Sequence, residues 1–453
     1  MRIRTLLAAI LAAAAAASSP LAAQAPNPAV PERALNAAAR RVIVDSAGSL
    51  LTRYYAFADT GRMLASHLRA RLAAGAFDAA ATEAQLGDAL TREMQAFNHD
   101  GHLYTTYRPA AGTPGASAFR MARQGGGAQG GPPQPTAADV AAQRRQNYGV
   151  ARAERLAGNV GYIEITSFMR GDEAAAAIDG AMAMLRYTDA MIIDLRHNGG
   201  GSEMTHYLMS YFQPDGAVQS WNYTRMMGDT MKNFSRPVNG AKRLDVPVYI
   251  LTSGRSASAA EAFAFTLQSA GRGKTVGTAT SGAGYNNMTF PLTGQTAISI
   301  SIGAAFYPAT GKRWEGTGVL PDIRVPEEEA LTVAHAEALK TLAAAEVDPQ
   351  RKQELAWAAE MVEARAHPVA VPAATLAAYA GTYGNRIVSV DGGTLMYQRR
   401  ADRPADALTA ISDTVFAPSA EARIEFVRDA TGAVTALRIR TAGGEPQTLP
   451  RTQ

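Results

Sequence analysis

Apolar positions recur at helical spacing over 35–57, 60–74 and 82–97, with Gly61 and Gly75 as punctuation, and predict a helical N-terminal region. The period changes at Asn98-His99-Asp100-Gly101-His102. Asp-Gly marks a turn, and the alternation through Leu103-Tyr104-Thr105-Thr106-Tyr107 predicts a strand. Residues 110–146 show no period and are rich in Gly, Pro, Gln and Ala, which reads as a flexible linker. From Val150 strands and helices alternate. Strands are expected at 160–165, 190–195 and 246–251, and helices at 172–186, 202–212 and 259–269. The run Ala190-Met191-Ile192-Ile193-Asp194-Leu195 is almost continuously apolar, as in a strand buried on both faces. This order implies βαβ crossovers and a mainly parallel sheet. Shorter strands are predicted at 275–277, 287–292 and 297–302, followed by helices at 327–344 and 349–364. The last 80 or so residues are short alternating strands split by Gly and Asp turns, the pattern of a small antiparallel sheet or barrel. The expected division is 35–108 helical, 109–147 linker, 148–366 an α/β core and 372–453 a C-terminal β domain.

Composition narrows the function classes. The chain has 453 residues, 47% hydrophobic and 19% charged, enough for a large core and too apolar for global disorder. Lys plus Arg number 44 against 40 acids, with no basic run, so no nucleic-acid partner is expected. Arg2 and Arg4, the apolar stretch 6–17 and Ala23-Gln24-Ala25 fit a secretory leader over 1–25. Export to a periplasm or beyond is therefore expected, with no membrane span once the leader is removed. Cysteine is absent, which excludes thiol catalysis, disulfides and zinc–thiolate sites.

Candidate chemistry sits on three turns. Thr252-Ser253-Gly254-Arg255-Ser256-Ala257-Ser258-Ala259-Ala260-Glu261 joins a predicted strand to a predicted helix. A serine there is either an N-cap or a nucleophile beside the unpaired N–H groups of a helix start. Asn198-Gly199-Gly200-Gly201 follows another strand, and its glycines admit close approach of a ligand oxygen to backbone N–H groups, or simply make a turn. His99 and His102 flank the Asp-Gly turn. No third histidine or carboxylate accompanies them at ligand spacing, so neither a metal nor another cofactor is expected.

Four ordered motifs carry a resemblance. Gly161-Tyr162-Ile163 through Ser167-Phe168, Asp194 through Gly201, Ser256 through Glu261, and Gly318-Val319-Leu320-Pro321-Asp322-Ile323 resemble the tail-specific, or carboxy-terminal processing, serine peptidases. That family includes the tricorn core and interphotoreceptor retinoid-binding protein, and the resemblance implies a ClpP/crotonase-like core. It further implies that Ser258 is the nucleophile, with the N–H groups of Ala259 and of Gly200 or Gly201 forming the oxyanion hole. The branch with a lysine base is not matched. The loop that should carry the lysine reads Thr278 to Gly284, with Ala283 at the expected place, and Lys274 and Lys312 fall outside it. The tricorn and retinoid-binding branch implies His102 as base, with His99 as the lesser choice. Glu315 matches the carboxylate that orients the base. Glu261 is the runner-up, or belongs to a hydrogen-bond network beneath the nucleophile. No PDZ domain is evident. The tail resembles accessory β domains of secreted hydrolases. An exported peptidase acting on peptides or proteins is the leading expectation. A retinoid- or lipid-type binding protein and a non-peptide acyl hydrolase are the alternatives, and no Gly-x-Ser-x-Gly elbow is present.

Overall fold

The computed structural model describes residues 34–107 and 136–452. The expected leader and most of the expected linker lie outside these residues. Three helices open the chain, α1 (Ala37–Tyr54), α2 (Ala58–Ala73) and α3 (Glu83–Asn98), followed by strand β1 (Tyr104–Tyr107). The described end of the expected linker is helical: α4 (Ala137–Arg145) starts at a capping box in which Thr136 and Asp139 satisfy each other's backbone N–H groups. Then come β2 (Val150–Leu156), β3 (Val160–Ile165), α5 (Asp172–Met184), β4 (Ala190–Asp194) and α6 (Met204–Ser210). A hairpin of β5 (Val218–Thr224) and β6 (Asp229–Phe234) precedes β7 (Val248–Thr252), α7 (Ala259–Ser269) and β8 (Lys274–Gly277). β9 (Tyr285–Pro291), β10 (Thr296–Phe306), β11 (Ile323–Arg324), α8 (Ala330–Ala345) and α9 (Pro349–Ala366) follow.

The α/β core is a six-stranded sheet in the order β11-β8-β7-β4-β3-β2, parallel throughout except for β2 against β3. Successive residues of β4 face opposite sides. Ile193 packs among Phe168, Leu208 and Phe263, and Ile192 packs beneath Ala334, Leu339 and Leu355. This two-sided burial is why β4 reads as an unbroken apolar run. Because β4 and β7 are parallel neighbours, the turns that follow them leave from the same sheet edge.

A second sheet was only partly legible. Residues 287–292 and 297–302 were expected as further strands of the α/β core. They pair instead in a separate antiparallel sheet, β1-β10-β5-β6, with β9 flanking β10. The hairpin β5–β6 was not anticipated, because β6 is largely exposed and lacks apolar alternation. β10 is the connecting element. Its register pairs Tyr104 of β1 with Ser299, and Trp221 of β5 with Phe306. Ile298, Ile300 and Ile302 complete the core of the three N-terminal helices, alongside Leu51, Leu64, Leu68 and Leu90. Those helices therefore do not close a core by themselves.

The tail begins with α10 (Ala373–Tyr379) and continues through β12 (Gly381–Tyr383), β13 (Arg386–Asp391), β14 (Thr394–Gln398), β15 (Asp406–Ala407), β16 (Thr409–Ala410), β17 (Val415–Ser419), β18 (Ala422–Arg428), β19 (Val434–Thr441) and β20 (Gln447–Pro450). These strands form antiparallel sheets of four and five strands, and a bridge from Tyr383 to Arg451 links their far ends. Tyr379 stacks on Phe426 at 3.9 Å inside. Arg423, 1% exposed, donates to Trp357 O and Glu360 and lies over the Trp357 ring, tying the tail to α9. No helix among the described residues is long and apolar enough to cross a membrane.

Ile300 is fully buried where the N-terminal helices meet β10. Ile300→Ala is expected to lower unfolding free energy by about 2–5 kcal/mol, read as a reduced urea midpoint. An unchanged midpoint would mean that this contact contributes little.

Candidate active site

The turn after β7 is held by its other serines. Ser256 Oγ donates to Leu195 O at 2.7 Å and accepts from Ser253 N–H at 3.0 Å, and Ser253 Oγ donates to Arg196 O. Those hydroxyls stitch the β7 turn to the β4 turn. Ser258 differs. It adopts φ 53°, ψ −112°, a region that side-chain-bearing residues avoid, immediately before the first turn of α7. Such strain costs on the order of 1–3 kcal/mol and persists only where the surroundings enforce it.

One of those surroundings is Gly200. A Cβ on it would lie 2.8 Å from Ser258 Cβ and 3.0 Å from Ala259 N, and its φ is +106°. Only glycine fits there. The Gly200 N–H is already used, donating to Asn198 Oδ1 at 2.8 Å. Asn198 is fully buried and also donates to Ile165 O. Of the two glycines considered as oxyanion donors, Gly201 is the one whose N–H has no hydrogen bond among the described residues, and the Ala259 N–H is likewise unused at the helix start. Both residues line the cleft at Ser258.

Glu261 lies one helical turn into α7 and is fully buried. Its carboxylate accepts from Ser258 N–H at 2.8 Å, Gly282 N–H and Ala283 N–H at 2.7 Å, Thr280 Oγ1 at 2.5 Å and Ser281 Oγ at 3.4 Å. This suits the network role, since its lone pairs are engaged by the Ser258 turn and the 280–283 loop. That loop leads into Gly284 and Tyr285, whose N–H groups donate to Glu315 Oε2 at 2.6 and 2.8 Å. Glu315 Oε1 is buried without a hydrogen bond. Burial, then the neighbouring Asp100 charge, pushes the Glu315 carboxyl up to about 7.

His102 stands beside this carboxylate. It follows α3 on the turn into β1, where Asp100 Oδ1 accepts its backbone N–H at 2.9 Å. A ring nitrogen of His102 and carboxylate oxygens of Asp100 and Glu315 lie within 4.8 Å of one another. The sequence showed no carboxylate at ligand spacing from this histidine, and the fold brings those of Asp100 and Glu315 to its ring. Burial lowers the pKa of His102 from its ordinary value, against the opposing pull of Asp100 and Glu261. The ring is thus neutral near pH 7, the state a general base requires. His99, the other histidine, is exposed and serves as the left-handed C-cap of α3. Lys274 and Lys312 are exposed, and Ala283 lines the cleft where a lysine base would have stood.

Asp100 was read from sequence only as half of an Asp-Gly turn. An aspartate in a turn signals turn formation whether or not it also faces an imidazole, so only its 1% exposure and its contacts separate the two uses.

The cleft at Ser258 has a volume of about 360 Å³. Ala262, Ala305 and Trp314 give it apolar walls, and Ser220, Asn222 and Asn233 of the unanticipated hairpin supply neutral polar groups. His206 also lines it, and burial lowers its pKa to about 4, leaving it uncharged near neutrality.

Replacing Glu261 with Gln would turn an amide NH₂ toward several N–H donors. Glu261→Gln is expected to cost about 2–4 kcal/mol, measured as a lower thermal midpoint. A midpoint equal to that of the parent would show that the 280–283 loop is held by other contacts.

Comparisons with known proteins match two stretches of the chain. Residues 159–325 match Peptidase family S41, and residues 34–124 match the N-terminal domain of Peptidase_S41 in eukaryotic IRBP. A carboxy-terminal-processing protease of Bartonella bacilliformis is 28% identical over 187 residues, 38% of this chain and 40% of that relative. The chain thus spans less than half of this curated relative. A solved putative peptidase of Parabacteroides merdae is 18% identical and covers 68% of this chain and 99% of its own, at a TM-score of 0.49. The tricorn protease is 15% identical, covering 65% of this chain and 35% of its own, at 0.40. Residues 159–325 are a peptidase family S41 domain, and the residues ahead of it carry that family's N-terminal domain.

Proposed function

We propose that this chain is an exported serine peptidase in which Ser258 is the nucleophile and His102 the base. His102 takes the Ser258 hydroxyl proton as Oγ bonds to the carbonyl carbon of a peptide. The oxyanion accepts from the N–H groups of Gly201 and Ala259. His102 then returns the proton to the departing amine as the C–N bond breaks. Water repeats the sequence on the acyl-enzyme, releasing the acid and restoring Ser258. Ionised Glu315 stabilises the cationic ring in both halves. The leader-like N-terminus supports export.

The observation that carries this reading is a continuous line of hydrogen bonds. It runs from Ser258 N–H to Glu261, from Glu261 to the N–H groups of Gly282 and Ala283, and from the next two N–H groups to Glu315 beside His102. The line joins the strained turn at Ser258 to the carboxylate beside His102, and the Gly201 and Ala259 N–H groups have no hydrogen bond among the described residues, which supports the reading. The cleft lining mixes apolar walls with Ser220, Asn222, Asn233 and the single acid Glu203, which is paired with Arg170, and this mixture suits a peptide better than a purely apolar ligand.

Digestion of a mixed peptide library, read by mass spectrometry, tests the reading. Ser258→Ala and His102→Ala are each expected to lower kcat by about 10³-fold or more while the proteins stay folded. Cleavage that persists in Ser258→Ala would overturn the nucleophile. No cleavage by the folded parent would favour a binding protein.

The pH profile tests Glu315 separately. Its carboxyl is pushed up to about 7, and the protonated form carries no charge to stabilise the His102 imidazolium, so kcat/KM is expected to rise with pH through about 7. The lowered pKa of His102 places that group's own limb at lower pH. Glu315→Gln is expected to remove the limb near 7 and to reduce kcat by about 10- to 100-fold. A limb unchanged in this variant would assign it to another group.

A further inference from the structure

Among the described residues, the ion-pair partner of Asp100 is His102, whose Nδ1 lies 3.8 Å from Asp100 Oδ1. Asp100 is 1% exposed and rigidly held. Oδ1 accepts the His102 backbone N–H, Oδ2 accepts Tyr55 Oη–H at 3.0 Å, and Tyr55 Oη in turn accepts from Asn98 Nδ2 at 2.7 Å. A buried carboxylate held by neutral donors alone remains an uncompensated charge, which is costly unless a cation forms beside it. His102 Nδ1 is itself buried and without a hydrogen bond. An acceptor-only carboxylate therefore faces an unpartnered ring nitrogen, separated by less than 1 Å beyond ordinary hydrogen-bond length.

We infer that Asp100 is a positioning residue for the base, a second carboxylate that keeps the proton of neutral His102 on Nδ1 and so leaves Nε2 to receive the proton of Ser258. This rests on the peptidase reading for its chemical consequence, but the Asp100–His102 pairing stands on its own geometry. The two carboxylates then divide the work. Asp100, pinned by Tyr55, sets the tautomer and orientation of the ring. Glu315, fixed by two backbone N–H groups through one oxygen only, supplies the charge that the imidazolium needs. No covalent step is added, since the Nδ1 proton stays on the ring throughout.

The groups facing this pair come from several elements. Tyr55 follows α1, Glu261 lies on α7, Tyr285 begins β9, and Glu315 lies on the loop before β11. Burial, then the Glu315 and Asp100 charges, raises the Tyr285 pKa, with Arg313 opposing. Tyr55 is likewise held far into its neutral form by burial and by Asp100. Both phenols are therefore neutral near pH 7, and the charges at issue are those of Asp100, Glu315, Glu261, Arg313 and His102.

The test uses the full chain. Asp100→Asn keeps an oxygen for the His102 backbone N–H and removes the charge. In a Ser258→Ala background, the His102 ring is titrated by NMR with and without Asp100→Asn. The pKa of His102 is expected to fall by about one pH unit or more in Asp100→Asn. An unchanged titration overturns the inference, whether or not the protein cleaves peptides. In the active chain, Asp100→Asn is expected to lower kcat by about 10- to 100-fold with KM within roughly twofold. The limb near 7 is also expected to move to lower pH, because Glu315 loses a like charge. A role in folding alone would leave that limb in place, and so would sink the inference. If Asp100→Asn does not fold, Tyr55→Phe serves instead, with kcat expected to fall about 3- to 10-fold at unchanged KM. Equal kcat in that variant counts against the pairing. Loss of cleavage by the parent, together with a His102 titration that responds to Asp100, would overturn the peptidase reading while the pairing survives.

Discussion

A buried carboxylate held by hydrogen-bond donors sets the geometry of this molecule's cleft. Glu261 sits at the start of α7 and receives donors from its own turn and from the 280–283 loop. Each donor lowers the cost of burying the charge, so the loop and the turn are held to each other by the same group. The consequence reaches both ways. Toward α7, the Ser258 N–H is fixed and the residue is kept in a conformation that it would otherwise leave. Toward β9, the loop delivers two further N–H groups to Glu315.

The other half of the cleft arrives from far away in sequence. His102 and Asp100 belong to the end of the helical region, roughly 150 residues before Ser258. What brings them in is β10, which pairs with β1 and also places three isoleucines under α1, α2 and α3. The helices are thus fastened to the same sheet that supplies a wall of the cleft. Packing energy spent on that apolar contact becomes precision at the histidine, because the turn bearing it leads directly into β1. The contact between Arg423 and Trp357 attaches the tail to α9, on the face of the parallel sheet opposite α7.

Legibility followed the strength of the local pattern. The strand at 190–194 and its partner at 248–252 were readable because burial on both faces forces a run of apolar residues with little ambiguity. α1, α2 and α3 were readable because one face of each meets a core. The hairpin β5–β6 was not, since its outer strand is mostly exposed and its inner strand offers Ser220 and Asn222 to the cleft. The pairing of β9 and β10 outside the parallel sheet was not readable either. An apolar strand of this length carries no mark of which sheet it will join.

The sequence by itself determined the chemistry available: no thiol, no lysine in the loop where a base could stand, serines at a helix start, a triple glycine after a buried strand, and a histidine in a tight turn. These are local facts, set by residue type and by neighbours a few positions away. Tertiary structure alone decided which members of each set are usable. It consumed the Gly200 N–H on Asn198 and left that of Gly201 free, locked Ser256 into backbone contacts while straining Ser258, turned His99 to solvent, and placed Asp100 against His102. The reason is that hydrogen-bond partners and buried charges are pair properties. They depend on distances between segments that only the packing of β10 and the donors around Glu261 bring together.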